Sequence, residues 1–186
     1  CACCPSNLCR FIPSVPGYLY GVKDNNIYVN LFAGNTSTIK VNGKDVVLEE
    51  TTEYPWNGDI KIAVKKSGVK NANLLVRIPG WVRNQVVPSD LYKYSDAEKP
   101  AYSVTVNGKA VEADLDANKG YLPVKNIKKG DVIRIHFDMP VRTVVANGKV
   151  ADDNGKVAVE RGPLVYCAEA VDNSNEPVLH AVMPEK

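Results

Sequence analysis

Cys1, Cys3 and Cys4 fall within four residues of one another, directly ahead of a proline, in Cys1-Ala2-Cys3-Cys4-Pro5. A thiolate is both a strong nucleophile and a soft-metal ligand, so this crowd points either to a metal site or to a reactive thiolate. Adjacent cysteines such as Cys3 and Cys4 bond each other only under strain. The five cysteines (Cys1, Cys3, Cys4, Cys9 and Cys167) are also an odd number for a disulfide framework. A tetrahedral zinc site wants four N or S ligands. Cys1 and Cys9 are close in sequence, but C-x-C-C-x4-C matches no common structural zinc spacing. The site is incomplete as written.

Other residues offer little to complete it. His136 sits in a predicted strand and His180 near the C-terminus, and each reads as an ordinary surface or core histidine. Glu49, Glu50, Glu53, Glu160 and Glu169 are the carboxylates from which a general acid/base pair would have to come. Strand alternation carries Glu49 and Glu50 to opposite faces, so no catalytic pair is expected. Trp56, Trp81, Tyr54, Tyr92, Tyr94 and Tyr102 could stack on sugar rings, but the preferred reading is an interdomain seam. Cys167, in the apolar run Leu164-Val165-Tyr166-Cys167-Ala168, reads as a buried inert thiol. No phosphate-cradling glycine loop, zinc-finger spacing or Ser-His-Asp pattern is present.

These residues sit in 186, a length that suits one domain able to bury roughly 70% of its unfolded surface. A net charge of +2, with both signs interspersed, argues against nucleic acid or an anionic membrane as partner. No apolar run approaches the ~20 residues of a membrane span. The chain opens on Cys instead of Met, with no leader ahead of it, and so reads as a piece of something longer. A lipoprotein acylated at Cys1 would also begin this way, but such starts run into a polar linker, whereas here a helical segment follows.

Leu8, Phe11 and Ile12 at helical spacing, with Pro5 in the first turn, predict a helix over residues 5–14, stopped by Pro13, Pro16 and Gly17. Beyond it the chain reads as strand and turn. Alternating apolar residues predict strands over 26–33, 38–41, 45–51, 59–64, 74–78, 102–106, 109–112, 120–124, 131–137, 141–146, 157–160 and 163–168. Asn42-Gly43 and Asn107-Gly108 are the pairs a tight type I′ hairpin prefers. Many short strands without intervening helices imply an all-β fold, an antiparallel β-sandwich of two sheets with a short N-terminal helical segment. Trp81 to Ala101 is the long exception, predicted as a loop that contacts a neighbouring domain or covers a sheet edge.

Three groups of residues together resemble a known family. They are Cys1-Ala2-Cys3-Cys4-Pro5-Ser6-Asn7 with Arg10-Phe11-Ile12-Pro13 and Pro16-Gly17-Tyr18; Leu75-Val76-Arg77-Ile78-Pro79-Gly80-Trp81; and Met139-Pro140-Val141-Arg142 with Arg161-Gly162-Pro163-Leu164-Val165-Tyr166. The resemblance is to glycoside hydrolase family 127, the β-L-arabinofuranosidase-like enzymes. It implies that residues 1–17 end a catalytic (α/α)6 barrel, 18–170 form the following β-sandwich, and 171–186 are a tail or the start of another segment. It also implies a retaining exo-glycosidase with zinc, in which Cys3 is the nucleophile and a zinc ligand and Cys4 is a second zinc ligand. Cys1 belongs to the motif but is not assigned to the metal. The remaining ligands and the acid/base Glu would lie upstream, so this chain alone is expected to be inactive and to hold no zinc.

The chain's expected role is then to support the barrel and to place Cys3 and Cys4, with arabinose-containing plant glycans as the parent's substrates. A periplasmic or extracellular location follows from that substrate, and thiols there would need metal to protect them. Two other readings stand beside it. One is a carbohydrate-binding module using exposed aromatics; the other is a small zinc or redox protein built on the first nine residues.

Overall fold

The computed structural model describes residues 3–181 of the chain. A single helix, α1 (Cys3–Ser14), opens it and tightens into a 3-10 turn at Val15–Tyr18. The helix starts two residues earlier than the periodicity predicts, because Pro5 is tolerated in a first turn whose N–H groups have no intrahelical partner. Pro13 lies inside the last turn, and the helix ends one residue beyond it.

Fourteen strands follow among the described residues. They are β1 (Tyr20–Lys23), β2 (Asn26–Val29), β3 (Asn35–Val41), β4 (Lys44–Thr52), β5 (Asp59–Ser67), β6 (Asn73–Arg77) and β7 (Tyr92–Tyr94). The second half adds β8 (Tyr102–Val106), β9 (Lys109–Ala110), β10 (Tyr121–Val124), β11 (Val132–Phe137), β12 (Val141–Ala146), β13 (Val157–Arg161) and β14 (Leu164–Tyr166). The fold is all-β and mainly antiparallel, as the alternation implies.

One sheet runs β1-β2-β6-β10 and a six-stranded sheet runs β3-β4-β5-β11-β8-β9. Every pair is antiparallel except β2 with β6, which are parallel. The core lies on the inward faces of these two sheets. Ile27, Val29, Leu74, Val76 and Leu122 come from the first, and Val46, Leu48, Ile62, Ile133 and Phe137 from the second. Burying each such side chain contributes about 2 kcal/mol. The two Asn-Gly pairs form the turns expected of them, with Asn42 and Gly43 at φ 48° and 76° and Asn107 and Gly108 at 50° and 81°.

A third sheet, β14-β13-β12-β7, was not foreseen in a sandwich of two sheets. Its edge strand β7 comes from within the predicted loop and pairs with β12, Tyr94 opposite Val144. That segment therefore covers a sheet edge, satisfying the open β12 backbone. Gly58 sets another close approach, since a Cβ there would stand 1.9 Å from the Phe137 carbonyl oxygen.

Candidate functional site at the N-terminal helix

Cys3 and Cys4 occupy the first turn of α1, exposed, with their Sγ atoms 3.9 Å apart. Two thiolates on one tetrahedral zinc at ~2.3 Å would stand about 3.8 Å apart. The pair therefore fits as two of four ligands. No group of three His, Cys, Asp or Glu side chains able to hold a metal gathers anywhere among the described residues. Cys1 lies outside the described residues, and Cys9 is exposed further along the helix.

The helix itself buries none of its residues. Ser6 Oγ donates to the Cys3 carbonyl at 3.0 Å and Ser14 Oγ to that of Phe11 at 2.7 Å, both local bonds. Leu8, Phe11 and Ile12 are 57, 58 and 64% exposed. An amphipathic helix with its apolar residues in water is marginal alone and gains stability by packing against something.

Attachment to the sandwich begins at Leu19, which is buried. The Asn30 amide donates to its carbonyl at 2.9 Å. Tyr20 follows, and its hydroxyl donates to Glu50 Oε2 at 3.1 Å. Beside this root an apolar groove of about 790 Å³ is lined by Val15, Leu19, Phe32, Trp81, Val86 and Leu164 among others.

The other candidates are dispersed. Glu49 and Glu50 do face opposite ways: Glu49 pairs with Lys65 at 2.9 Å, while Glu50 is 3% exposed. Burial pushes the Glu50 carboxyl up to about 7, partly offset by hydrogen bonds from Tyr20, the Ala33 amide and Asn35. Burial likewise raises Tyr20, with the Glu50 charge adding to the effect. Glu160 accepts from the Tyr94 hydroxyl at 3.1 Å, and Glu53 from Asn57 at 2.9 Å.

His136 is a surface residue held between Asp59 (Nδ1, 2.7 Å) and Asp138 (Nε2, 3.1 Å), and the bond to Asp59 leads the effects that raise its pKa. His180 closes a short turn at Val178–His180. Cys167 is exposed, contrary to the inert core thiol expected, because nothing among the described residues covers this run: Val165 and Tyr166 on β14 are themselves 66 and 54% exposed.

Among the six aromatics, Trp81 and Tyr94 are buried and Tyr54, Tyr92 and Tyr102 pack against the core. Trp81 meets Phe137 edge-on and donates Nε1 to the Tyr54 hydroxyl at 3.3 Å. Trp56 alone of the six stands out, 71% exposed. The group is thus mostly packed in or against the core, with Tyr54, Trp81 and Tyr94 also lining the apolar groove beside the helix root.

Sequence reasoning missed the burial of Glu50, Asp131 and Arg142. Glu50 shares the inward face of β4 with Val46 and Leu48, so period-two alternation already marks it. Arg142 shares the inward face of β12 with Val144 in the same way. Its Nη2 donates to Asp96 Oδ1 and to Asn84 Oδ1, each at 2.6 Å.

Two family profiles match the sequence. "Beta-L-arabinofuranosidase, GH127 middle domain" covers residues 26–139, and "Glycoside hydrolase family 127 C-terminal domain" covers 141–186. The chain belongs to glycoside hydrolase family 127. A relative, the non-reducing end β-L-arabinofuranosidase of Bifidobacterium longum subsp. longum, is 35% identical over 183 residues, which are 95% of this chain and 24% of that protein. The solved structure of the GH127 β-arabinofuranosidase BT3674 is 55% identical with a TM-score of 0.87, covering 92% of this chain and 27% of its own. The GH127 β-L-arabinofuranosidase Ara127N from Geobacillus stearothermophilus T6 is 34% identical with a TM-score of 0.76, over 93% of this chain and 25% of its own. The chain thus spans about a quarter of the length of these relatives.

Proposed function

We propose that this chain is the β-sandwich portion of a zinc-dependent retaining β-L-arabinofuranosidase, and that it delivers Cys3 and Cys4 to an active site completed by an (α/α)6 barrel. The observation that carries this reading is the pair of exposed sulfurs 3.9 Å apart in the first turn of a helix that buries nothing of itself. A reaction centre shared with another domain calls for that arrangement. The exposed Leu8, Phe11 and Ile12 then become the surface on which the barrel packs.

Cys3 supplies the nucleophile. Its sulfur attacks the anomeric carbon while a carboxylic acid of the barrel protonates the departing oxygen. The C–O bond breaks as the S–C bond forms, leaving the sugar on Cys3. Water, deprotonated by the same carboxylate, then displaces the thiolate with net retention. Cys3 and Cys4 would hold zinc, which when bound keeps the sulfur ionised and tempers its strength as a ligand to carbon. The other ligands and the acid/base come from the barrel, so the 186-residue chain alone turns nothing over. Membership of a family whose middle domain is that of a β-L-arabinofuranosidase supports arabinose-containing plant glycans as substrates, and with them a periplasmic or extracellular setting.

The test is to express the chain joined to its barrel and assay p-nitrophenyl β-L-arabinofuranoside. Turnover that requires both Cys3 and Cys4 supports the reading, and turnover indifferent to both refutes it.

A further inference from the structure

Glu50, Asp131 and Arg142 are the charged residues buried among the described residues, and of these Glu50 lies nearest the root of the cysteine helix, bonded to Tyr20. Glu50 extends from β4 and is 3% exposed. Its Oε1 accepts the Ala33 amide at 3.0 Å and its Oε2 accepts the Tyr20 hydroxyl at 3.1 Å. Asn35 Nδ2 donates to the Tyr20 oxygen at 3.2 Å and to the Ala33 carbonyl at 2.7 Å. One carboxyl thereby joins β1 of the first sheet, the connection into β3, and β4 of the second. Tyr20 is the first strand residue after the turn that ends the cysteine helix. Because α1 buries nothing, its direction is set at this root.

We propose that Glu50 is a positioning residue for the cysteine helix, a proton-linked latch that ties Tyr20, and with it the base of α1, to β4. Its significance for catalysis rests on the function proposed above, but the latch itself does not. The groups that face the carboxyl are Tyr20 from β1, Asn35 from β3 and the Ala33 amide, while Ile62 is its neighbour in register on β5. None of these is cationic, and the hydrogen bonds they make offset the cost of a buried negative charge only in part. A closed latch holds the Glu50 proton more tightly than an opened, hydrated one. Acid therefore keeps it shut, and rising pH loosens it.

Amide hydrogen exchange on the 186-residue chain tests this at two pH values, after correction for the intrinsic exchange rate. Between pH 6 and pH 8 the protection of residues 20–22 and of Ala33 should fall about tenfold, as expected for a carboxyl titrating near 7 when closed and in the ordinary range when open. Glu50→Gln should abolish that fall, and Tyr20→Phe should lower protection at both pH values while β5 and β11 keep theirs. Protection independent of pH in the wild type, or the same pH dependence in Glu50→Gln, would overturn the latch. Neither readout involves sugar hydrolysis, so this result is separable from the fate of Cys3 as nucleophile. In the barrel-containing protein, Glu50→Gln should change kcat with little effect on KM, and should alter its dependence on pH.

Discussion

The guanidinium carbon of Arg142 lies 3.4 Å from the centre of the Tyr94 ring, so β12 is fastened to β7 by a cation stacked on an aromatic face. The same group is paired with Asp96 and bonded to Asn84. Arg142 belongs to the C-terminal family region and its three partners to the middle one, so this network joins the two.

Arg142→Ala should therefore cost about 2 kcal/mol, since it removes a buried cation from a partly exposed Asp96 and from Asn84, and opens a void beside Tyr94. Arg142→Lys should recover only part of that, because an ammonium lacks the planar fork that serves Asp96 and Asn84 together. Urea denaturation followed by circular dichroism reads both, as a lowered midpoint with an unchanged slope.

Glu50 predicts a pH dependence of stability. Its folded pKa, about 7, lies above the ordinary value of 4.5, so the folded chain binds this proton more tightly than the unfolded one. The contribution is fully present below the unfolded value and is lost as pH rises through the folded one. About 3 kcal/mol should disappear across that window. His136, also raised, acts with the same sign, so the quantity to measure is the difference between wild type and Glu50→Gln. That difference should grow from pH 5 to pH 8.

Gly58→Ala should destabilise the chain by about 2–3 kcal/mol, because the added carbon meets the Phe137 backbone, which is fixed in β11. Gly43→Ala is the control: it has open space around it but sits at φ 76°, and should lose about 1 kcal/mol through backbone strain alone. Thermal melts of the two variants separate the causes.

Much of the fold was legible. Period-two alternation located twelve of the fourteen strands, and the Asn-Gly pairs fixed two hairpins because only such residues accept their positive φ. The strands that escaped, β1 and β7, are short and rich in Tyr, Gly and Lys, so no apolar alternation announces them. The third sheet was hidden for the same reason, since β7 supplies its edge. Cys167 was misjudged because apolar neighbours in sequence do not ensure a covering layer in space. The cysteine pair could be seen in the sequence, but its root at Glu50 could not, because that contact links positions 30 residues apart.

Leu8→Glu, Phe11→Glu and Ile12→Glu should each change the stability of the 186-residue chain by less than ~0.5 kcal/mol, since these side chains are exposed on it. The same changes should destabilise the barrel-containing protein by more than ~1.5 kcal/mol, where each would put an unpaired charge into a packed surface. Equal effects in both would argue against a barrel docked on α1.

The most direct measurement compares wild type, Cys3→Ala and Cys3→Ser in the protein that includes the barrel, at saturating p-nitrophenyl β-L-arabinofuranoside. Loss of turnover by at least ~10³-fold in both variants, with the fold intact, is the predicted result for a displaced nucleophile. Turnover within tenfold of wild type in the Ala variant would contradict the account.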